Sequence, residues 1–212
     1  MSQKQSFKTH LHDSEKGYDK YASSYDKKTA FLNSFERGAI ESLVGDLKGQ
    51  TILDVAAGTG RVFDLLKKRG TLENAKEIYA IDISKNMLDI LKKKHPQAII
   101  THGDMREMPY QDDTFDIVVA AFAIVHLKSL DDFFNEIYRV MKSGGIFILT
   151  NPNQRKGPKL WTNEREKLVV ESYYNLPEHV IKSLEGAFFH VEVEEFIEED
   201  GVWINQIVKA RK

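Results

Sequence analysis

Between Thr51 and Thr150 the apolar positions of this chain follow two periods in turn. Short apolar runs at 51–55, 78–82, 98–102, 115–121 and 145–150 read as strands. Between them, 61–69, 85–94 and 130–141 return apolar residues at helical spacing. The clearest helix carries Leu130, Phe133, Phe134, Ile137, Tyr138 and Met141 on one face, with Ser129 placed to cap its start and Gly144 and Gly145 to stop it. Strand and helix in alternation predict an α/β fold, a parallel sheet with helices on both sides. Phe115 to Ala121 is almost continuously apolar, as a strand buried on both faces must be, and belongs in the middle of that sheet.

The flanks are patterned differently. Residues 1–16 are polar and aperiodic and are expected to form a flexible tail, so the single domain is expected to span 17–212. Tyr18, Tyr21, Ala22 and Tyr25 fall at helical spacing, and Phe31, Phe35, Ala39 and Leu43 continue a stripe to the breakers Gly45 and Gly49. Residues 17–48 are therefore expected to be helices that form a lid over the sheet. Past Asn151 come Pro152, Gly157 and Pro158, a helical stretch over 164–174, and a helix opened by Pro177. Two alternating runs, 191–197 and 202–208, flank Glu199-Asp200-Gly201 and read as a β-hairpin, which would finish the sheet with an antiparallel strand.

Composition narrows the partners. The 212 residues are 42% hydrophobic and 29% charged, with a net charge of −2, so there is no basic footprint and nucleic acid is not expected. With no cysteine there is no disulfide, thiol nucleophile or thiolate metal site. The seven histidines lack ligand spacing, so no metal site is expected. The first residues lack an apolar leader and no run reaches membrane-spanning length; a cytoplasmic protein is expected.

Three strand ends carry carboxylates. The first strand runs through Asp54 into Ala56, Ala57, Gly58 and Gly60, a loop of small residues that lets backbone approach a ligand closely. A buried anion there repels a pyrophosphate and suits a cationic amine or sulfonium; S-adenosylmethionine carries both. Asp82 ends the second strand, where an acid can accept both ribose hydroxyls of an adenosine. Asp104 follows the third strand, placed to accept from an exocyclic amine, with Met105 to pack on a purine face.

The chain resembles a class I S-adenosylmethionine-dependent methyltransferase of the small-molecule type that includes the quinone-biosynthesis C-methyltransferases. The resemblance rests on Tyr18-Asp19-x-x-Ala22-x-x-Tyr25-Asp26, Leu53-Asp54-Val55-Ala56-Ala57-Gly58-Thr59-Gly60, Asp82-Ile83-Ser84-x-x-Met87-Leu88, Gly103-Asp104-Met105, Met108-Pro109-Tyr110-x-Asp112-x-x-Phe115-Asp116 and Arg139-Val140-Met141-Lys142-x-Gly144-Gly145. It implies a seven-stranded Rossmann-like sheet of order 3-2-1-4-5-7-6 with the last strand antiparallel. It also implies Asp54 and the loop Ala56 to Gly60 at the methionine end, Asp82 at the ribose, Asp104 and Met105 at the adenine, Ile83 and Met87 lining the adenosine pocket, Ala121 beside the methionine and Tyr25 over the methyl donor. Ala56 departs from the glycine that many members have.

The expected reaction is metal-independent in-line displacement of the methyl group onto a small-molecule acceptor, with S-adenosylhomocysteine as product. His126, just past the fourth strand, is a candidate general base, set against a packing or capping role at the start of the next helix. Tyr25, Phe122, Trp161, Tyr173 and Tyr174 are candidates for the acceptor pocket and lid, with 152–176 as a short acceptor-side segment. A nicotinamide dehydrogenase would need a small residue at Phe63, and a nucleic-acid amino-methyltransferase a Pro-Pro-aromatic motif where Ala121-Phe122-Ala123 stand. The alternative from another class is a catalytically silent protein of the same fold that binds S-adenosylmethionine or a partner. Acceptor and oligomeric state are not legible in the sequence.

Overall fold

The computed structural model describes residues 10–164 and 166–212. Residues 1–9 of the expected tail lie outside the described residues. The rest of that tail is structured: β1 spans His10–His12 and α1 spans Ser14–Tyr25. Asp13 caps α1 by accepting from the Lys16 N–H at 2.8 Å. The stripe from Phe31 to Leu43 does not form one helix. It breaks into α2 (Thr29–Ser34) and α3 (Ala39–Val44), because Gly38 takes φ +83° between them. On α3 the buried residues are Ile40 and Val44 rather than Ala39 and Leu43.

The alternating region follows expectation: β2 (Thr51–Val55), α4 (Arg61–Arg69), β3 (Glu77–Asp82), α5 (Lys85–Lys94), β4 (Ile99–His102), β5 (Phe115–Ala120), α6 (Asp131–Val140) and β6 (Met141–Pro152). Two details differ. Leu130, not Ser129, occupies the cap position of α6 without a side-chain bond, and the chain leaves that helix directly into β6, four residues ahead of Gly144 and Gly145. The stretch expected as a helix at 164–174 instead carries the strand β8 (Lys167–Val170), preceded by β7 (Lys159–Trp161). Leu168 and Val170 are buried at period two, and Leu168 pairs with His10 and Val170 with His12, so β1 recruits this stretch into a three-stranded sheet of order β1-β8-β7. The chain closes with α7 (Pro177–Gly186), β9 (His190–Glu199) and β10 (Val202–Arg211). Asp200 and Gly201, both at positive φ (51° and 74°), make the tight turn that the Asp-Gly pair predicts.

The main sheet has seven strands in the order β4-β3-β2-β5-β6-β10-β9. Counted within the sheet, this is the expected 3-2-1-4-5-7-6, with β10 antiparallel to both β6 and β9. Alternate residues of each central strand feed opposite faces. Leu53, Val118, Phe147 and Leu149 pack under α6 and α7 with Phe133, Phe134, Val180 and Leu184. Ile52, Ile117, Val119 and Ile148 pack under α3, α4 and α5 with Ile40, Phe63, Leu66 and Leu91. No helix among the described residues is long and apolar enough to cross a membrane.

Candidate active site

The carboxyl ends of β2, β3, β4 and β5 open into one cleft, as parallel sheets of this type do beside the strand-order reversal. Its empty space is about 820 Å³ counting the open mouth. Tyr25, Ala56, Gly58, Asp82, Ile83, Met87, Asp104, Met105, Ala121, Phe122 and His126 line it together, so most of the candidate residues share one wall system. The loop after β2 turns through left-handed backbone at Ala56 (φ 54°), Gly58 (φ 54°) and Gly60 (φ 86°). A Cβ at Gly58 would meet nothing within 4 Å, so its open side is free to approach a ligand. At Gly60 a Cβ would come within 3.0 Å of Leu91 Cγ and 3.1 Å of His95 Cδ2. Gly60 therefore answers to the packing of α5, and it does not line the cleft.

Asp82 is the best-supported carboxylate of the cleft. One oxygen accepts from the Gly58 N–H and the other from the Ser84 N–H, each at 2.8 Å, which aims the group and leaves lone pairs toward the opening. Burial raises its pKa against these two bonds, which lower it. Asp54 stands behind the loop rather than in the cleft lining. It is buried, and its Oδ2 has no hydrogen-bond partner in the structure. Desolvation pushes its pKa well above the usual carboxylate range; Arg61 opposes this, while Asp82 and Glu36 reinforce it. Ala57 is also buried behind the wall, with its N–H given to the Ile81 carbonyl at 3.1 Å.

Arg61 is held by Glu36 in a buried pair, Nη1 to Oε2 at 2.5 Å and Nη2 to Oε1 at 2.8 Å. With one guanidinium against Glu36, Asp54 and Asp82, this end of the cleft has an excess of negative groups and favours a cationic ligand. At the far end Asp104 is engaged by Arg106, with Nε at 3.0 Å from Oδ1 and Nη2 at 2.5 Å from Oδ2, and the pair lowers the carboxyl pKa. Arg106 lines the cleft and escaped the sequence reading, although a cation two residues after a candidate acid was a usable signal.

The end of the cleft away from Asp104 is covered by α1. Tyr18 and Tyr25, two helical turns apart, both line the cleft, and their rings meet edge to face at 6.3 Å. Tyr18, which was not among the candidate site residues, places its hydroxyl 2.9 Å from His126 Nε2. His126 Nδ1 lies 3.0 Å from the Glu171 carbonyl oxygen, an acceptor only, so Nδ1 carries the hydrogen. In the neutral ring Nε2 is then the acceptor of the Tyr18 O–H. Burial lowers the His126 pKa and raises that of Tyr18, while Tyr25 is pushed up to about 12. His126 sits in a 3₁₀ turn (Ile124–His126) and does not cap α6.

Phe122 enters the cleft from left-handed backbone (φ 58°), its N–H donated to Thr150 Oγ1 at 2.9 Å. Its ring lies between Phe35 at 6.2 Å and the Arg61 guanidinium at 5.1 Å. Trp161, Tyr173 and Tyr174 are not brought to the cleft. Trp161 is on β7 and half exposed. Tyr173 donates its hydroxyl to Glu171 at 2.8 Å, and Tyr174 stacks on Trp203 at 6.5 Å, with the Arg155 guanidinium 5.2 Å from the centre of the Tyr174 ring. These three aromatics sit around the outer segment that follows β6, and their expected acceptor role is not supported by position.

Comparison with known proteins agrees with this geometry. The family described as "Methyltransferase domain" matches residues 53–149, which covers the loop after β2, Asp82, Asp104 and His126. The chain is 31% identical over 142 residues to the demethylmenaquinone methyltransferase of Streptomyces avermitilis, covering 65% of this chain and 59% of that one. It is 30% identical over 167 residues to the malonyl-[acyl-carrier protein] O-methyltransferase of a Marinomonas species, covering 74% of this chain and 59% of that one. The chain thus spans about three-fifths of the length of these relatives. Among solved structures, an S-adenosylmethionine-dependent methyltransferase from Aquifex aeolicus superposes with a TM-score of 0.67 at 22% identity, over 89% of this chain and 97% of that one.

Proposed function

We propose that the chain acts as a class I S-adenosylmethionine-dependent methyltransferase, as its matches support, and that it methylates a small-molecule acceptor whose nucleophile must lose a proton. What carries this is the Tyr18 hydroxyl hydrogen-bonded to His126 Nε2 in the cleft wall, with the imidazole tautomer fixed from behind by the Glu171 carbonyl. The residues suit the cofactor. Asp82 presents free lone pairs beside a loop whose Gly58 is open to approach, and Asp54 keeps an unpartnered buried oxygen behind it. In this assignment Asp82 holds the ribose, Asp104 and Met105 the adenine, Ile83 and Met87 the adenosine walls, and the loop after β2 with Ala121 the methionine part. The bound cofactor supplies an electrophilic methyl group, taken by in-line displacement.

The chain's own residues contribute position and a place for the proton. Tyr18 accepts the acceptor's hydrogen at Oη as its own passes to His126 Nε2, so that the proton leaving the nucleophile ends on the imidazole. General-base help of this kind is worth about 10² to 10⁴ in rate. Tyr25 and Phe122 wall the reacting end and exclude water, and positioning supplies much of the remainder. The relative named for demethylmenaquinone is consistent with a quinone-type ring as acceptor, and the segment between β6 and α7 is too short to add a large cap.

The test is release of S-adenosylhomocysteine on a panel of phenols, quinols, carboxylic acids and amines, run with the wild type and with His126→Asn. We expect turnover on at least one hydroxylated acceptor, a loss of about 10² or more in kcat in the variant, and S-adenosylhomocysteine affinity unchanged within a few-fold. Cofactor binding with no turnover on any acceptor would instead favour a silent binding protein, and an undiminished His126→Asn would remove the base.

A further inference from the structure

The sequence carries Tyr-Asp twice on α1 and its end, Tyr18-Asp19 and Tyr25-Asp26. The tyrosines line the cleft; the aspartates do not. Asp19 Oδ1 accepts from the Ser84 hydroxyl at 2.6 Å and from the Asn86 N–H at 3.1 Å, and its carbonyl accepts from Asn86 Nδ2 at 3.1 Å. Asp26 Oδ1 accepts from the Thr59 hydroxyl at 2.6 Å, with Lys94 Nζ 3.5 Å from its other oxygen. One aspartate therefore fastens the lid helix to the start of α5, and the other fastens it to the glycine loop.

Those two anchor points share a hub. Asp82 accepts from the Ser84 N–H, the same residue whose hydroxyl holds Asp19, and from the Gly58 N–H, the neighbour of Thr59, which holds Asp26. A ligand seated on Asp82 fixes both loops, and with them both fastenings. On its other side α1 is built onto the small sheet: Gly17 packs against Val170 of β8, Lys20 pairs with Glu166 at 3.0 Å and Asn163 bonds to Ser23 at 3.1 Å. Helix and small sheet form one cover, whose Tyr18 and Tyr25 face the reacting end.

We propose that Asp19 and Asp26 are positioning residues that latch this cover to the cofactor loops, so that Tyr18 and Tyr25 are set over the reacting end only once the cofactor holds the loops. The order of binding follows: cofactor first, then acceptor under the closed cover. The proposal rests on the assignment of Asp82 to the cofactor. It is independent of the role of His126, because the cover can be read with S-adenosylhomocysteine and no acceptor present.

The experiment is amide hydrogen exchange of the full chain with and without saturating S-adenosylhomocysteine, beside calorimetric affinity and steady-state kinetics. In the wild type, exchange over 14–25 slows by about tenfold or more on binding, as an opening equilibrium shifted by a ligand requires. The double variant Asp19→Ala, Asp26→Ala loses most of that slowing and most of kcat, while β5 stays protected and S-adenosylhomocysteine still binds. Asp19→Asn with Asp26→Asn, which keeps an oxygen to accept from each hydroxyl, restores most of the slowing. Thr59→Val cuts the Asp26 arm from the opposite side and loses part of it. A wild type that binds the ligand with no slowing over 14–25, or an alanine pair that slows like the wild type, overturns the latch and leaves the cofactor site standing. A chain that binds no ligand overturns both.

Discussion

Asp54 and His126 are both displaced from the ordinary pKa of their kind by burial, in opposite directions, with different consequences. Asp54 is raised well above 3.8, so its ionised form is a cost to the fold, present once pH rises through the folded value. Asp54→Asn is expected to leave stability at neutral pH equal or higher, yet to weaken S-adenosylmethionine by about tenfold or more, since the negative charge behind the loop that attracts the cation is gone. Denaturant titration beside calorimetry checks both, and a variant that loses stability but keeps affinity contradicts it. His126 is lowered from 6.5. The unfolded chain then binds the proton first, so stability falls as pH drops below about 6.5 toward the folded value. The neutral base survives to the same low range. The acid limb of kcat is therefore expected below pH 6.5 and should vanish in His126→Asn; a limb above 6.5 would deny the assignment. At this scale the places of Ala56, Gly58, Asp82 and Asp104 around the cleft were legible because they sit at strand ends that local pattern locates, whereas Asp54, at such an end too, stands behind the lining. The partnership of Tyr18 with His126 was not, because it joins residues 108 positions apart through the docking of α1, and no local spacing encodes it.

At the scale of elements, the clearest misreading was the stretch after Asn163. Its charged residues and Leu168 suit a helix locally, but β1 offers an open strand edge and the alternation of Leu168 and Val170 answers it. A three-residue strand near the start of the chain could not be seen as the partner until the two were in register. The consequence is that α1, from the expected lid, and the strands of the expected acceptor-side segment form one cover. Gly17 sits where a Cβ would be 2.7 Å from Val170 Cγ2, so Gly17→Leu must force α1 and β8 apart, at about 1–3 kcal/mol. Hydrogen exchange should then quicken together over 10–25 and 167–170 while β2 and β5 stay protected. Quickening confined to α1 would show that the cover is not one unit. The breaking of the Phe31 to Leu43 stripe has an equally local cause, Gly38 at φ +83°.

At the scale of the whole molecule, the sheet order was readable because alternation of strand and helix leaves few parallel topologies and the terminal hairpin fixes the antiparallel edge. That order puts Asp82 at the cleft beside the reversal, under a cover whose tyrosines face it. The most direct test is calorimetric titration of S-adenosylmethionine and S-adenosylhomocysteine into the wild type and into Asp82→Ala. The account predicts one site per chain for each ligand in the wild type and a loss of about 100-fold or more in the variant, the scale of two charge-assisted hydrogen bonds. Absence of binding to the wild type, or affinity undiminished in Asp82→Ala, would contradict it.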